Sequence, residues 1–394
     1  MKYLFLGLMY DRESEKDILA RSGYAQAQVN QYQWGFVDGL EAAYDIRPDI
    51  ISSIPMASFP LRSKMLFVKK NSFASPYGID YVGYPNFYVI RELVRENTFY
   101  KKVKNYIETA DDNVTVFVYS MYYPFLKIMR KLKNVYGDKL NYVLIVPDLV
   151  GKYTFTYKNK LKQAFHSHNA EKQMEYSKAA DSYVLLTDKM KEPLEIGDKP
   201  YTVIEGFLPH CEFNYENARE KKTVLYTGSL NPAFGISALL KAFESITDPD
   251  YRLWICGAGD GKAAVEAAAE RDSRIIYKGF LPKSDIADLQ TRCDVLINPR
   301  PADGEYTKYS FPSKTMEYLL SGSKVVMHRL DGIGEEYYKY IRVIDEHTPA
   351  AMAKAIVSAC EDKDFYTSRY MEQVGWIKES KSSRSQVEKL FCDN

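Results

Sequence analysis

The residues best placed to do chemistry in this sequence lie in one stretch. It runs Asn298-Pro299-Arg300, a polar loop, then Lys308-Tyr309-Ser310-Phe311-Pro312-Ser313-Lys314-Thr315-Met316-Glu317-Tyr318-Leu319-Leu320-Ser321-Gly322. Pro312 suits the first turn of a helix and Gly322 its stop. Ser313, Lys314 and Glu317 then share one face, while Met316, Leu319 and Leu320 form the buried stripe. A lysine at the positive end of a helix offsets phosphate charge, and a carboxylate one turn further in accepts two hydroxyl donors of a sugar diol. The plainer reading is a surface Lys and Glu pair. Arg300 and Lys308, in a loop after an apolar run, favour a binding site.

Two glycine turns come earlier. Gly257-Ala258-Gly259-Asp260-Gly261-Lys262 follows the apolar run ending at Cys256, but Lys262 stands where a dinucleotide fingerprint needs its third Gly, and Cys256 and Ala263 break a phosphate-binding P-loop. A plain turn and a ligand-facing loop both remain open for Gly257. Gly228-Ser229 leads through Asn231 and Pro232 toward a helix near Gly235, an arrangement whose amides can hold an anion. Asp148, in Val146-Pro147-Asp148, follows another strand and reads as a buried or capping carboxylate, or as the group that deprotonates an acceptor. Asp248-Pro249-Asp250 has the form of a metal-binding pair but precedes a strand, and the histidines show no ligand spacing, so no metal site is expected. No Gly-x-Ser-x-Gly elbow exists for a serine hydrolase.

These motifs need elements to hold them, and the chain alternates short β-rich runs with helical patterns almost throughout, the signature of parallel α/β sheets. Strands are expected at 3–10, 114–120, 142–147, 182–187 and 201–206, then at 223–227, 252–257, 274–279, 294–298, 324–328 and 342–345. With 394 residues, two domains are expected. They are an acceptor-side Rossmann-like domain over 1–208 and a second over 209–364, with a helical segment 365–394 packing back toward the first. The charge-rich run before Thr223 marks the linker.

Composition sets limits. There are 53 Lys and Arg against 52 Asp and Glu, so no overall field draws nucleic acid. The excess of basic residues in the first half lies in Ser63–Lys70, Lys101–Lys104 and Lys127–Lys133. These runs read as solvated helix faces or as a patch for a membrane surface or an anionic acceptor. Five cysteines without CxxC spacing fit a reducing compartment. Met1–Tyr10 reads as a first strand rather than a signal peptide, and no apolar run is long enough to span a bilayer.

The order of Gly228-Ser229, Gly257-Ala258-Gly259, Gly279-Phe280-Leu281, DVLINPR and FPSKTMEYLLSG resembles the donor domain of retaining GT-B-fold glycosyltransferases, in particular family 4. The resemblance covers about 222–330, with Trp376 in a segment similar to the family's closing helix. It implies two Rossmann-like domains facing a cleft. Transfer from a UDP- or GDP-linked sugar with retention follows, with no cofactor or divalent metal required. By the same resemblance Glu317 holds the donor ribose, Gly228 lies in the phosphate loop, and Phe280 and Leu281 receive the base. The family's first Glu would stand at Tyr309, and its diphosphate Arg and Lys at Ser229 and Phe234. Arg300, Lys308 and Lys314 are therefore expected to supply the missing positive charge, with Ser310 and Ser313 beside them. Arg300 and Lys314 are the expected catalytic cations, and Asp148 is carried as an acceptor-side catalytic carboxylate. Gly23 and Tyr24 match the family's first glycine loop on the acceptor side. The acceptor is expected to be a saccharide or a lipid-linked saccharide, in surface polysaccharide synthesis at the cytoplasmic face of the inner membrane. A non-catalytic nucleotide-sugar-binding subunit, and a GT-B epimerase or phosphorylase, stay open as alternatives.

Overall fold

The computed structural model describes residues 1–22, 26–60, 63–150 and 160–391. The chain divides into two units, one of residues 1–207 with 383–394 and one of residues 208–382.

Unit 1 is built on β1 (Lys2–Gly7), β2 (Asp49–Ser52), β3 (Phe67–Val68), β4 (Asp80–Tyr81), β5 (Tyr84–Pro85), β6 (Val114–Tyr119), β7 (Leu140–Val146), β8 (Ser182–Leu185) and β9 (Tyr201–Val203). Seven of these form a parallel sheet in the order β4-β2-β1-β6-β7-β8-β9. β3 and β5 pair separately as a short antiparallel ribbon. Its helices are α1 (Glu15–Ser22), α2 (Ala27–Tyr44), α3 (Tyr88–Glu108), α4 (Tyr123–Tyr136), α5 (Lys160–Ser177) and the single turn α6 (Lys191–Leu194). Both faces of the sheet are covered. Phe5, Phe117, Val143 and Ile145 pack with Trp34, Phe36, Val37 and Leu40 of α2. The alternate positions Leu4, Leu6, Val116, Val118 and Leu144 are equally buried, as are Phe99 and Val103 of α3 and Phe125 and Met129 of α4. The run Ser63–Lys70, read from sequence as a helix face, instead carries strand β3.

Unit 2 contains β10 (Glu220–Thr227), β11 (Arg252–Cys256), β12 (Ile275–Gly279), β13 (Cys293–Asn298), β14 (Lys324–His328) and β15 (Ile341–Ile344), parallel in the order β12-β11-β10-β13-β14-β15. Alternation along each strand splits the core. Val224, Tyr226, Leu253, Ile255, Val295 and Ile297 face α7 (Ile236–Glu244), α8 (Lys262–Arg271) and α11 (Pro349–Glu361). Leu225, Trp254, Leu296, Val325 and Met327 face α9 (Lys283–Arg292), α10 (Lys314–Leu320) and α12 (Tyr370–Ser380). The stretch before Thr223 is ordered against this unit. Arg219 donates to Ser323 Oγ at 2.6 Å and to the Cys293 carbonyl at 3.3 Å, and β10 already begins at Glu220.

The helical segment after residue 364 divides. Residues 365–382 belong to unit 2, whereas α13 (Ser383–Val387) lies in unit 1, where Val387 closes on Gly39 of α2 and Tyr44 donates to the Glu388 carbonyl at 2.7 Å.

Candidate functional site

The strand order of unit 2 reverses between β10 and β13, and ligands of open α/β sheets bind outside the carboxyl ends at such a switch point. Thr227 ends β10 there and Asn298 ends β13. Gly228 follows the first directly, and Arg300 follows the second after Pro299.

Helix α10 is tied to this end. The Tyr318 hydroxyl accepts from the Thr227 amide at 3.0 Å and donates to the Thr227 carbonyl at 3.1 Å, in a buried setting. Met316, Leu319 and Leu320 are buried as their spacing predicts, and Ser313 is exposed. Glu317 then stands one turn inside the helix, partly open to solvent. Its carboxylate accepts from Lys314 Nζ at 2.8 and 3.0 Å and from Gln290 Nε2 at 2.6 Å. Gln290, on α9, is fully buried and also donates to Thr227 Oγ1 at 3.3 Å, while its Oε1 has no partner. Sequence reading missed Gln290 because its partner lies 27 residues away. Cys211 was also missed: burial, with the Glu317 carboxylate as the next cause, pushes its thiol up to about 11.

Arg300 and Ser310 come together. Arg300 Nη2 donates to Ser310 Oγ at 3.1 Å, and its guanidinium lies 4.7 Å from the Tyr306 ring centre and 5.7 Å from that of Phe234. Its Nε is buried without a hydrogen-bond partner. Phe234 occupies the position where the resemblance places a cation, so a cation is present beside that position on another loop. Lys308 and Tyr309 lie on the tight turn Glu305–Tyr309, with Lys308 exposed and the Tyr309 hydroxyl donating to Glu305 Oε1 at 3.5 Å.

The two glycine turns pack on each other. Gly228 donates its amide to the Cys256 carbonyl at 3.0 Å, and Leu230 donates to Ala258 at 2.9 Å. Gly257 has φ +150°, and a Cβ there would lie 1.8 Å from the Gly228 carbonyl oxygen. The glycine at 257 is thus required by close approach of backbone to backbone. The Gly228 amide is spent inside the protein rather than offered to an anion, and Ser229 beside it is exposed. Phe280, just past β12, is 83% exposed, whereas Leu281 packs against the core that holds Trp254 and Met316. The Asp248 and Asp250 carboxylates sit before β11 and are held by Lys222 Nζ at 2.6 and 3.4 Å.

At the carboxyl end of β14, His328 is buried and stacks on His347 at 4.6 Å, with Nδ1 unpartnered. Burial, then the neighbouring His347, lowers its pKa to about 4. The unfolded chain therefore binds one more proton than the folded one between about pH 6.5 and 4, and stability falls as pH drops through that window. We expect this group to account for about 3 kcal/mol of that fall. Urea unfolding of the protein and of His328→Gln across the window checks it. The variant shows a shallower pH slope, by close to one proton, and equal slopes would exclude the histidine.

In unit 1, Asp148 follows β7 and is exposed rather than buried, and its charge helps raise the pKa of buried Tyr119. Gly23 and Tyr24 lie outside the described residues.

Residues 221–362 match the family model described as "Glycosyl transferases group 1". No curated protein matches the sequence. Solved structures share the fold along 98 to 99% of the chain. OtsA matches with a TM-score of 0.63 at 10% identity, over 98% of this chain and 97% of its own. HepE from Anabaena, in complex with UDP, gives 0.62 at 13%, over 98% of each. Sucrose-phosphate synthase from Thermosynechococcus elongatus gives 0.60 at 14%, over 99% and 98%.

Proposed function

We propose that this chain, whose second unit is a group 1 glycosyltransferase domain on a GT-B fold, transfers a sugar from a nucleotide-sugar donor to a saccharide or lipid-linked acceptor. The donor binds at the switch point of unit 2 and the acceptor through unit 1. The observation that carries this reading is the fixed Lys314–Glu317 pair at the carboxyl end of β10, inside the matched segment. Glu317 keeps an open acceptor site on Oε2 for a ribose hydroxyl, and Lys314 sits at the start of its helix where phosphate is favoured. Arg300 brings a buried, unpartnered N–H to the loop after β13, suited to the charge that grows on a departing diphosphate. Glu305, in contact with Tyr309, is a second carboxylate on the same loop. Phe280 offers an exposed aromatic face to a base.

The finer reading is a family 4 enzyme that retains configuration without a metal, the leaving diphosphate assisting attack on the same face. UDP is the first nucleotide to try, since HepE was solved with it. On this reading the acceptor is met at the inner face of a membrane, in polysaccharide assembly, and the basic runs of the first half support it.

Thermal unfolding with UDP, GDP, ADP and CMP, each with and without EDTA, tests donor binding. A nucleotide at about 100 times its Kd stabilises unit 2 by roughly 2.7 kcal/mol. One nucleotide should raise the transition, equally with EDTA, and Arg300→Ala should reduce the shift. No shift with any nucleotide would move the reading to a non-catalytic subunit, and loss of the shift with EDTA would remove metal independence.

A further inference from the structure

Three basic runs mark the first half of the chain, and the structure separates them by what their charges already do. In Lys127–Lys133, Lys127 pairs with Glu96 at 2.7 Å, Arg130 with Glu175 at 2.7 Å and Lys133 with Asp181 at 2.8 Å, while Lys131 lies over the Tyr100 ring. In Lys101–Lys104, Lys102 pairs with Asp80 and Lys104 with Glu108. Lys64, Lys69, Lys70 and Lys101 are exposed and have no ion-pair partner among the described residues. Three of these four lie within three residues of Phe67, the outward side chain of β3.

Exposed apolar side chains gather around Phe67 from the neighbouring segments. Leu66, Phe67, Phe87, Ile90 and Leu93 are 37 to 65% exposed. They form one surface: Phe67 pairs with Pro85, the Leu66 carbonyl accepts from the Asn86 amide at 2.7 Å, and Phe87 precedes the first turn of α3. Ile90, Leu93 and Lys101 then follow along one stripe of that helix. The surface stands beside the carboxyl ends of β2 and β4, since the Asn86 carbonyl accepts from Phe59 in the segment after β2 and Asn86 Nδ2 donates to the Ala57 carbonyl at 2.8 Å. A continuous apolar patch rimmed by uncompensated lysines is unusual on a surface that stays in water. No helix among the described residues is long and apolar enough to cross a membrane.

We infer that this patch docks unit 1 on an anionic lipid bilayer. Leu66, Phe67, Ile90 and Leu93 enter the headgroup region, and Lys64, Lys69, Lys70 and Lys101 meet lipid phosphates. The charge pattern selects this occupant over a neutral apolar partner, because among the described residues the rim charges without an ion-pair partner are the lysines Lys64, Lys69, Lys70 and Lys101, whereas the nearby carboxylates Asp80, Glu92 and Glu96 are paired. The inference deepens the membrane reading given above and rests on it for its biological sense, but its test uses neither donor nor acceptor.

Flotation of the full chain with vesicles of phosphatidylcholine alone, or with roughly one-third phosphatidylglycerol, reads it at about 0.1 M and about 1 M salt. Binding is expected only to the anionic vesicles and only at the lower salt. Each lysine contributes about fivefold, so Lys64→Ala, Lys69→Ala and Lys70→Ala together weaken binding roughly 100-fold. The pair Phe67→Glu and Leu93→Glu abolishes it while the UDP-induced thermal shift stays as in the parent. Absence of binding to anionic vesicles overturns the proposal, as does binding that this pair leaves unchanged. Conversion of a dimer to a monomer by the same pair, with no vesicle binding by the parent, would instead assign the patch to a second copy of the chain. Failure of the nucleotide shift alone would strike the transferase reading and leave this one standing.

Discussion

Glu317→Ala is expected to lower turnover of the nucleotide sugar by roughly 10- to 150-fold, the equivalent of about 1.5 to 3 kcal/mol for a charge-assisted contact. The carboxylate is held in place before any ligand arrives. Lys314 grips both oxygens, Gln290 holds one of them from beneath, and Tyr318 on the same helix is tied to the end of β10. Such preorganisation means that little is spent on ordering the group when a diol binds. Glu317→Gln keeps the shape and halves the acceptor capacity, so it should fall between the parent and the alanine variant. The measurement is initial rate against concentration for the nucleotide sugar identified by thermal shift, with the unfolding midpoint recorded for each variant. Full turnover in Glu317→Ala would mean that the ribose sits elsewhere.

The second large effect concerns stability at the opposite end of the same sheet. Asp294, in β13, and Lys324, the first residue of β14, form an ion pair at 2.8 Å with side chains 5% and 7% exposed. The other carboxylate oxygen accepts from the Lys222 amide at 3.0 Å, and the ammonium lies 4.7 Å from the centre of the Tyr366 ring. Lys324→Met leaves the carboxylate buried without its countercharge and should destabilise unit 2 by about 3 to 5 kcal/mol. Replacing both partners, as Asp294→Leu with Lys324→Met, should recover most of that loss, because the desolvation of both charges disappears together. Urea unfolding of the two variants decides it. A loss under about 1 kcal/mol for the single change would show a pair that water already compensates.

The sheet of unit 2 was legible because its six strands are β-branched runs that end at Gly, Asn or polar turns, as at Asn298 and Gly279. The stripe of α10 was legible from spacing alone. Strand β2 was not: its four residues, Asp49-Ile50-Ile51-Ser52, offer two apolar side chains, too short a run to separate from a loop. The partners of Glu317 were half legible. Lys314 is three residues away on the same helix, whereas Gln290 and the Tyr318 contact with Thr227 depend on strand order, which periodicity does not encode. Gly257 could be seen as a turn, but not that the turn exists to admit the Gly228 carbonyl. Of the readings open for Asp148, burial fails, because an apolar strand before it says nothing about the loop after it.

The return of Ser383–Val387 to α2 has a consequence for biosynthesis. Val387 is fully buried against Gly39, so the core of unit 1 lacks a piece until residue 387 has been made, although residues 1–207 emerge first. At roughly 5 to 20 residues per second, that delay is on the order of 10 to 35 s. Through that interval the α2 face is uncovered on the ribosome, while all of unit 2 is translated. The nascent chain therefore reverses the usual order: the later unit is complete before the earlier one, and α2 is the surface a chaperone would find waiting.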